Sequence, residues 1–326
     1  MSVGTTPSVG HDFFEDMEAR FVRINRSPIP TGIDKIDEKD ILNGGLGKGE
    51  IGVITAPTGV GKSHMLVNLG CAAIKSGFNV IHYTFELTET STGLRYDSNI
   101  CQIPSNQVPE RKDEVIEYYK EHSDKLGKLM IKEYPTGTAT VQTLRSHIEK
   151  LSLKGFIPQV LIIDYADIMR SSRQYDSMRH ELKKVYEDLR NLAMEKNLPI
   201  WTASQSNRDS ANSDIVGLEN MAESYGKAQV ADVVISISRK PAEKAEGFGR
   251  LYIAKNRAGR DGIVFPVKLN TAMSRFSILE NSEEMSFMEA KKKNEGDLKA
   301  LLQKKWKQVS KVEVKNTNNE KEEGES

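Results

Sequence analysis

The chain is poor in cysteine, tryptophan and net charge, and it lacks any long apolar run. Two cysteines, Cys71 and Cys101, and two tryptophans stand among 326 residues. Both cysteines fall in helix-like segments, which argues against a disulfide framework and fits a reducing compartment. The six histidines and two cysteines show no zinc spacing, so a structural metal is not expected. The 46 basic and 46 acidic residues cancel. No global field therefore draws the chain to nucleic acid or membranes, and any DNA contact must come from local clusters. No apolar stretch approaches the roughly 20 residues needed to cross a bilayer. The beginning carries Asp12, Glu15 and Asp16 where a secretory leader would be basic and then apolar. What is present, 38% hydrophobic and 28% charged residues, describes a soluble globular chain of one large domain or two small ones.

Three zones follow from the patterning. Residues 1–30 hold a Gly/Ser/Thr/Pro start and then Phe13–Phe21, whose phenylalanines and Met17 recur at helical spacing, with Pro28 and Pro30 marking a linker. From 31 to 280 strand and helix alternate. Strands are expected at 50–55, 79–85, 128–133, 159–164, 199–204 and 232–238, with helices near 63–76, 88–100, 140–154 and 177–197. Val160-Leu161-Ile162-Ile163 and Val233-Val234-Ile235 read as strands buried on both faces of a parallel sheet. Shorter strands at 249–255, 262–267 and 275–279 extend it as antiparallel pairs. The fold class is therefore α/β, doubly wound. From 281 to 326 a Lys/Glu-rich helical segment leads into a tail expected to be disordered, either a solvated end or a docking element.

The chemistry starts at residues 56–63, Ala-Pro-Thr-Gly-Val-Gly-Lys-Ser, directly after the first strand of the core. This is a P-loop: Ala56, Pro57, Thr58, Gly59, Val60 and Gly61 bring backbone N–H groups to phosphates, Lys62 supplies charge, and the Ser63 hydroxyl is suited to Mg²⁺. The following helix points its positive end at the nucleotide. A nucleoside triphosphate is the expected ligand. One departure is Ala56, where the motif usually begins with glycine.

Asp164 ends an apolar strand and is placed to share Mg²⁺, the alternative being a carboxylate that caps the next turn. Glu86 follows the strand one strand–helix unit after the P-loop. An acidic residue leaving the strand beside the P-loop can deprotonate water, the alternative being a carboxylate that serves a helix N-terminus. Gln205 follows Pro199–Ser204 and can contact the γ-phosphate, ahead of a long polar loop at 206–228. Lys255 and Arg257 sit in a basic turn after a strand. It could be a solvated hairpin, or in a ring of subunits it could reach a neighbour's γ-phosphate.

These motifs, in this order, resemble the RecA-like ATPase domain of DnaB-type replicative helicases. The resemblance covers about 30–280. It runs through Ala56–Ser63, Phe85-Glu86-Leu87 with Arg95, Ile162-Ile163-Asp164-Tyr165, Ala203-Ser204-Gln205-Ser206-Asn207-Arg208 and Lys255-Asn256-Arg257. The wording around Lys132–Gly137, Ile162–Asp164 and Trp201-Thr202-Ala203 is most similar to the helicases of T4-like phages. The resemblance implies ATP and Mg²⁺ as cofactors and makes Glu86 the catalytic base, Asp164 the metal carboxylate and Gln205 the phosphate sensor. Arg95 helps to set the site in cis, while Lys255 and Arg257 act in trans. It also implies a homo-hexamer threaded by single-stranded DNA in the cytoplasm of a bacterial or phage-infected cell, with a primase or helicase loader as further partners.

Two departures stand beside the resemblance. About 30 residues precede the core where the family carries a primase-interacting domain, and Phe13–Phe21 is the remaining counterpart of its linker helix. The family's pore loop often has an arginine before Glu-Ser-Gly, whereas here it reads Ala222-Glu223-Ser224-Tyr225-Gly226-Lys227. DNA contact is then expected from amides near Ser224–Gly226, from Lys227, and from Arg170, Arg173 or Arg179, each of which could instead be a solvated charge. A recombinase-like filament protein and an ATP-gated regulator that binds DNA or a helicase remain as alternatives.

Overall fold

Strict alternation along the strands, with both faces covered, determines the architecture. The computed structural model describes residues 12–15, 17, 18, 26–207, 213–221 and 225–279. Among them, one mixed sheet is built from β1 (Ile51–Ala56), β2 (Val80–Thr84), β3 (Leu129–Glu133), β4 (Val160–Asp164), β5 (Ile200–Gln205), β6 (Val233–Ser238), β7 (Phe248–Asn256), β8 (Val264–Asn270) and β9 (Arg275–Ile278). Their order across the sheet is β3-β2-β4-β5-β1-β6-β7-β8-β9. The first six are parallel, and β7 to β9 continue as antiparallel neighbours. This is the parallel core with an antiparallel extension that the alternation predicts.

Ile54, Ala56, Ile162, Trp201, Ala203 and Ile235 face α2 (Lys62–Lys75), which contributes Met65, Leu66, Leu69 and Ile74. Ile51, Val53, Leu161, Ile163, Ile200 and Val234 face the other way, under α5 (Val141–Leu153) and α6 (Met178–Lys196) with Leu144, Ile148, Val185, Tyr186 and Leu189. A period of two places each strand's apolar residues on both faces, so burial fixes the register. The helix ends follow local chemistry. Thr88 caps α3 (Glu89–Cys101) by accepting from Ser91 N at 3.1 Å, and Thr140 and Thr143 form a capping box on α5.

The sequence reading leaves out four helices: α1 (Asp34–Asp37), α4 (Lys112–His122), α7 (Tyr225–Val230) and α8 (Pro241–Glu246). Of these α4 is the longest, and Val115 is its one buried residue, resting on Ile103 and Val108. Tyr118 and Tyr119 add only half-buried contacts with the main core, so the helix offers little fully apolar stripe to read. The structure also corrects the neighbourhood of Glu86: β2 follows β1 in sequence, but β4 and β5 stand between them.

The chain is anchored ahead of β1 by Arg26. Its guanidinium forks onto Glu50 at 2.8 and 2.6 Å and donates to the carbonyls of Leu42 and Gly45. Upstream, Phe13 and Phe14 are exposed. The rest of the expected helix at Phe13–Phe21 lies mostly outside the described residues, as does 281–326. No helix among the described residues is long and apolar enough to cross a membrane.

One close approach is specific. Gly52 pairs with Trp201 across β1 and β5, and a Cβ at Gly52 would stand 2.3 Å from the indole ring. Gly52→Ala must push apart two central strands. It should cost about 2 kcal/mol of stability, read as a lower urea midpoint with an unchanged m-value.

Candidate active site

Because β1, β2, β4 and β5 run parallel, their carboxyl ends deliver Ala56, Glu86, Asp164 and Gln205 to one edge of the sheet. Ala56 is the last residue of β1 and pairs with Gln205, so its backbone is extended and needs no glycine. The departure from the usual motif is thereby accommodated. Glycine is required further along the loop, where Gly59 and Gly61 have φ of 71° and 126°. The Lys62 ammonium donates to the carbonyls of Ala56 and Pro57 at 3.1 and 3.3 Å. A cleft of about 280 Å³ is lined by Thr58–Ser63, Glu86, Arg95 and Gln205. Sequence and structure thus bring the phosphate loop and the candidate base, sensor and cis arginine together.

The charges in this cleft are mutually dependent. Burial lowers the Lys62 pKa, opposed by the carboxylates of Asp164, Glu86 and Asp167. Burial pushes the Asp164 carboxyl up to about 6, with Glu86 adding to the rise, while the Ser63 hydroxyl, Arg95 and Lys62 work against it. Asp164 is almost wholly buried and its Oδ1 has no hydrogen-bond partner. The turn after β4 does not use this carboxylate. Ala166 N donates instead to Thr202 Oγ1 at 3.0 Å, which removes the capping alternative. A buried, unpartnered carboxylate oxygen beside a P-loop serine fits a hard cation. Among the described residues no group of three or more His, Cys, Asp or Glu side chains could hold a metal.

Glu86 leaves β2 in a turn where Thr84 Oγ1 donates to Leu87 O at 2.9 Å, and it is solvent-exposed. It lies before the Thr88 cap, so it is not the helix N-terminal carboxylate. Gln205 Nε2 donates to the Tyr165 hydroxyl at 3.0 Å, and Gln205 N donates to Asp167 Oδ2 at 3.2 Å.

His64, Tyr165, Arg239 and Thr271 also line the cleft, and the motif reading does not single them out as site residues. A signal exists for two of them: Tyr165 and Arg239 each stand just beyond the carboxyl end of a buried parallel strand. Burial lowers the His64 pKa to about 4, with Arg95 and Arg239 adding to the fall, so the ring is neutral near pH 7. A larger groove, about 1170 Å³, lies beyond the far end of α2 and is lined by Lys35, Lys75, Asn99 and Arg275. It contains none of the phosphate-loop residues, so we assign the chemistry to the smaller cleft.

Other candidates lie elsewhere. β7 is antiparallel to β6, with Asn256 opposite Val233, so Lys255 and Arg257 sit at the amino edge of the sheet. There Lys255 Nζ donates to the carbonyls of Ala228, Gln229 and Ala231 at 2.6, 3.2 and 2.7 Å. Arg257 bonds Gln229 O at 2.7 Å and Asp232 Oδ1 at 3.1 Å. Arg170 and Arg173 are exposed between β4 and α6, and Arg179 is exposed in the first turn of α6. Gly226 is half-buried, and Ser224 lies outside the described residues. Lys227 requires a correction. It is fully buried, and its ammonium pairs with Asp167 Oδ2 at 2.9 Å, so it presents no charge to a passing strand.

Residues 28–278 match the family described as the DnaB-like helicase C terminal domain. The chain belongs to that family. A DnaB-like replicative helicase of Enterobacteria phage T4 is 31% identical over 249 residues, covering 73% of this chain and 52% of the relative. A replicative DNA helicase DnaB of Helicobacter pylori (strain ATCC 700392 / 26695) is 24% identical over 215 residues, covering 65% and 43%. The chain spans about half the length of these curated relatives. Among solved structures, a DnaB-like replicative helicase studied for its interactions with primase superposes with a TM-score of 0.69 at 18% identity, over 83% of this chain and 68% of that one. A second solved structure, described as an ATPase domain, gives 0.68 at 19% identity, over 81% and 95%. The RecA-like core expected from the motifs is thus the fold of this DnaB-like domain.

The Asp164 shift sets a pH dependence. Its ordinary carboxyl value is 3.8 and its folded value about 6. Between the two, the folded chain keeps a proton that the unfolded chain has lost, so stability falls as pH rises through this window and the full penalty applies above it. In chelator-containing, nucleotide-free buffer, Asp164→Asn should raise stability near pH 7.5 by about 3 kcal/mol, at 1.36 kcal/mol per unit. Denaturant titrations should show that gain vanish below about pH 4.

Proposed function

We propose that this chain is the ATP-hydrolysing motor of a ring-shaped replicative DNA helicase, translocating on single-stranded DNA. Residues 31–280 form the motor, and the flanking segments 1–30 and 281–326 serve contacts with neighbouring copies or with a primase or helicase loader. It acts in the cytoplasm of a bacterial or phage-infected cell.

The phosphates lie along the amides of the loop, and Lys62 offsets their charge. Ser63 and Asp164 would hold Mg²⁺, which neutralises charge on the β- and γ-phosphate oxygens when bound. Glu86 orients the attacking water and takes its proton, and its exposure leaves it room to do so. Gln205 contacts the γ-phosphate. Arg95 adds positive charge on the same side of the cleft, close enough to Asp164 for each to shift the other.

One observation carries the proposal that sites are completed between subunits: Lys255 and Arg257 lie at the opposite edge of the sheet from their own P-loop. Through β6, Lys255 stands level with Val53 and Arg257 just beyond Gly52, about 10 and 17 Å along the strand from Ala56 and two strands across, beyond the reach of a side chain. Cations so placed cannot serve their own phosphate loop, and the family comparison supports a role at another molecule's site. Both already hold carbonyl or carboxylate partners, so reaching a neighbour's phosphate requires an exchange of hydrogen bonds. DNA contact rests on the exposed Arg170, Arg173 and Arg179 and on amides around Ser224–Gly226. Contacts of this kind are blind to base sequence, as a moving motor requires.

Lys62→Ala should abolish DNA-stimulated ATP hydrolysis, and Arg257→Ala should lower kcat by about 10³-fold. Mixing the two variants should recover part of the activity, since each supplies the half-site the other lacks. Recovery of nothing, from variants shown to co-assemble, would refute the trans assignment. Light scattering with an ATP analogue and single-stranded DNA should report six copies, and a persistent monomer would refute the ring.

A further inference from the structure

The turn between β4 and α6 holds a polar cluster that no motif accounts for. Asp167, three residues beyond the metal-candidate Asp164, is surrounded by donors. Tyr186 donates its hydroxyl to Oδ1 at 2.8 Å. Oδ2 receives the Ser204 hydroxyl at 2.9 Å, Gln205 N at 3.2 Å and the ammonium of Lys227 at 2.9 Å. Lys227 also donates to Ser204 Oγ at 3.1 Å and lies 5.8 Å from the centre of the Tyr186 ring. Its side chain is fully buried.

Taking an ammonium out of water is costly unless it is paired and hydrogen-bonded, and this one is both. The placement gives the cost a use. Ser204 and Gln205 end β5, and Gln205 extends its amide into the phosphate cleft. Lys227 comes from α7. One carboxylate therefore ties the main chain of the sensor to that helix.

We propose that Asp167 and Lys227 are positioning residues for Gln205, and that their ion pair fixes the end of β5 on which ATP hydrolysis depends. The proposal rests on the reading of Gln205 as the γ-phosphate contact. With the pair closed, Gln205 N is fixed by Asp167, and its side chain is presented at the rotamer that reaches Tyr165 and the cleft. Without the ammonium the buried carboxylate loses its counter-charge and Ser204 loses the donor that Lys227 supplies, so the end of β5 is held less firmly. Nucleotide binding depends on the P-loop amides and Lys62, so hydrolysis is affected more than affinity.

Steady-state ATP hydrolysis by the full chain, with and without single-stranded DNA, tests this in four variants. Lys227→Met should lower kcat by about tenfold with KM for ATP within about twofold. Asp167→Asn should behave alike. The neutral double variant, Asp167→Asn with Lys227→Met, has no uncompensated buried charge and should regain thermal stability. In it kcat should remain low, which separates positioning from mere support of the fold. Activity returning together with stability in the double variant would overturn the proposal, as would unchanged kcat in the folded single variants. Gln205→Ala is the control. If it hydrolyses ATP normally, the sensor assignment is wrong and the positioning role falls with it. If it is inactive while the pair variants are normal, only the positioning role falls.

Discussion

Parallel pairing across β2, β4, β5 and β1 is the constraint on which the site depends. Each of these strands is buried on both faces, so a one-residue slip would turn an apolar set onto the wrong layer. With the register held, the strands end in step, and the residues just past their ends gather at one edge. Glu86, Asp164 and Gln205 are far apart in sequence, yet they need no special packing to meet. Gly52 shows how tightly the register is held: β1 can lie against β5 only because it presents no side chain to the Trp201 ring.

At that edge the problem is electrostatic. Lys62, Asp164 and Arg95 are all substantially withdrawn from water, and burial moves each toward its neutral form. Each is kept charged by the others, so the cleft is a balanced set rather than a row of independent groups. A nucleotide with its cation adds several more charges to that set. The residues now facing one another would then have better partners than they have among themselves, which is how a folded site can store affinity for a highly charged ligand.

Much of this is legible in the sequence, for identifiable reasons. The apolar runs at 160–163 and 233–235 are continuous because both faces are buried, and Asp164 follows directly where the first run stops. What is not legible depends on contacts between distant segments. Lys227 reads as a surface charge because lysine almost always is one, and only the approach of Asp167 from 60 positions earlier reverses that. Asp167 draws no notice in the sequence because Asp164 already satisfies the expected role on that strand. Helix α4 carries one buried residue, too few for a stripe. That Lys255 and Arg257 lie at the amino edge follows from the antiparallel direction of β7, which spacing along the chain does not reveal.

Helix α7 is too short to be stable alone, since six residues leave most of its carbonyls without an intrahelical donor. Those of Ala228, Gln229, Val230 and Ala231 are taken up by Lys255, Arg257 and Arg190. Two of these three cations are the ones proposed for a neighbour's phosphate. They cannot occupy both places, so under that proposal engagement at a neighbour would leave α7 with Arg190 alone at its end. The end of this helix and a neighbour's nucleotide would then be rivals for the same two side chains, and whatever strengthens one claim would weaken the other.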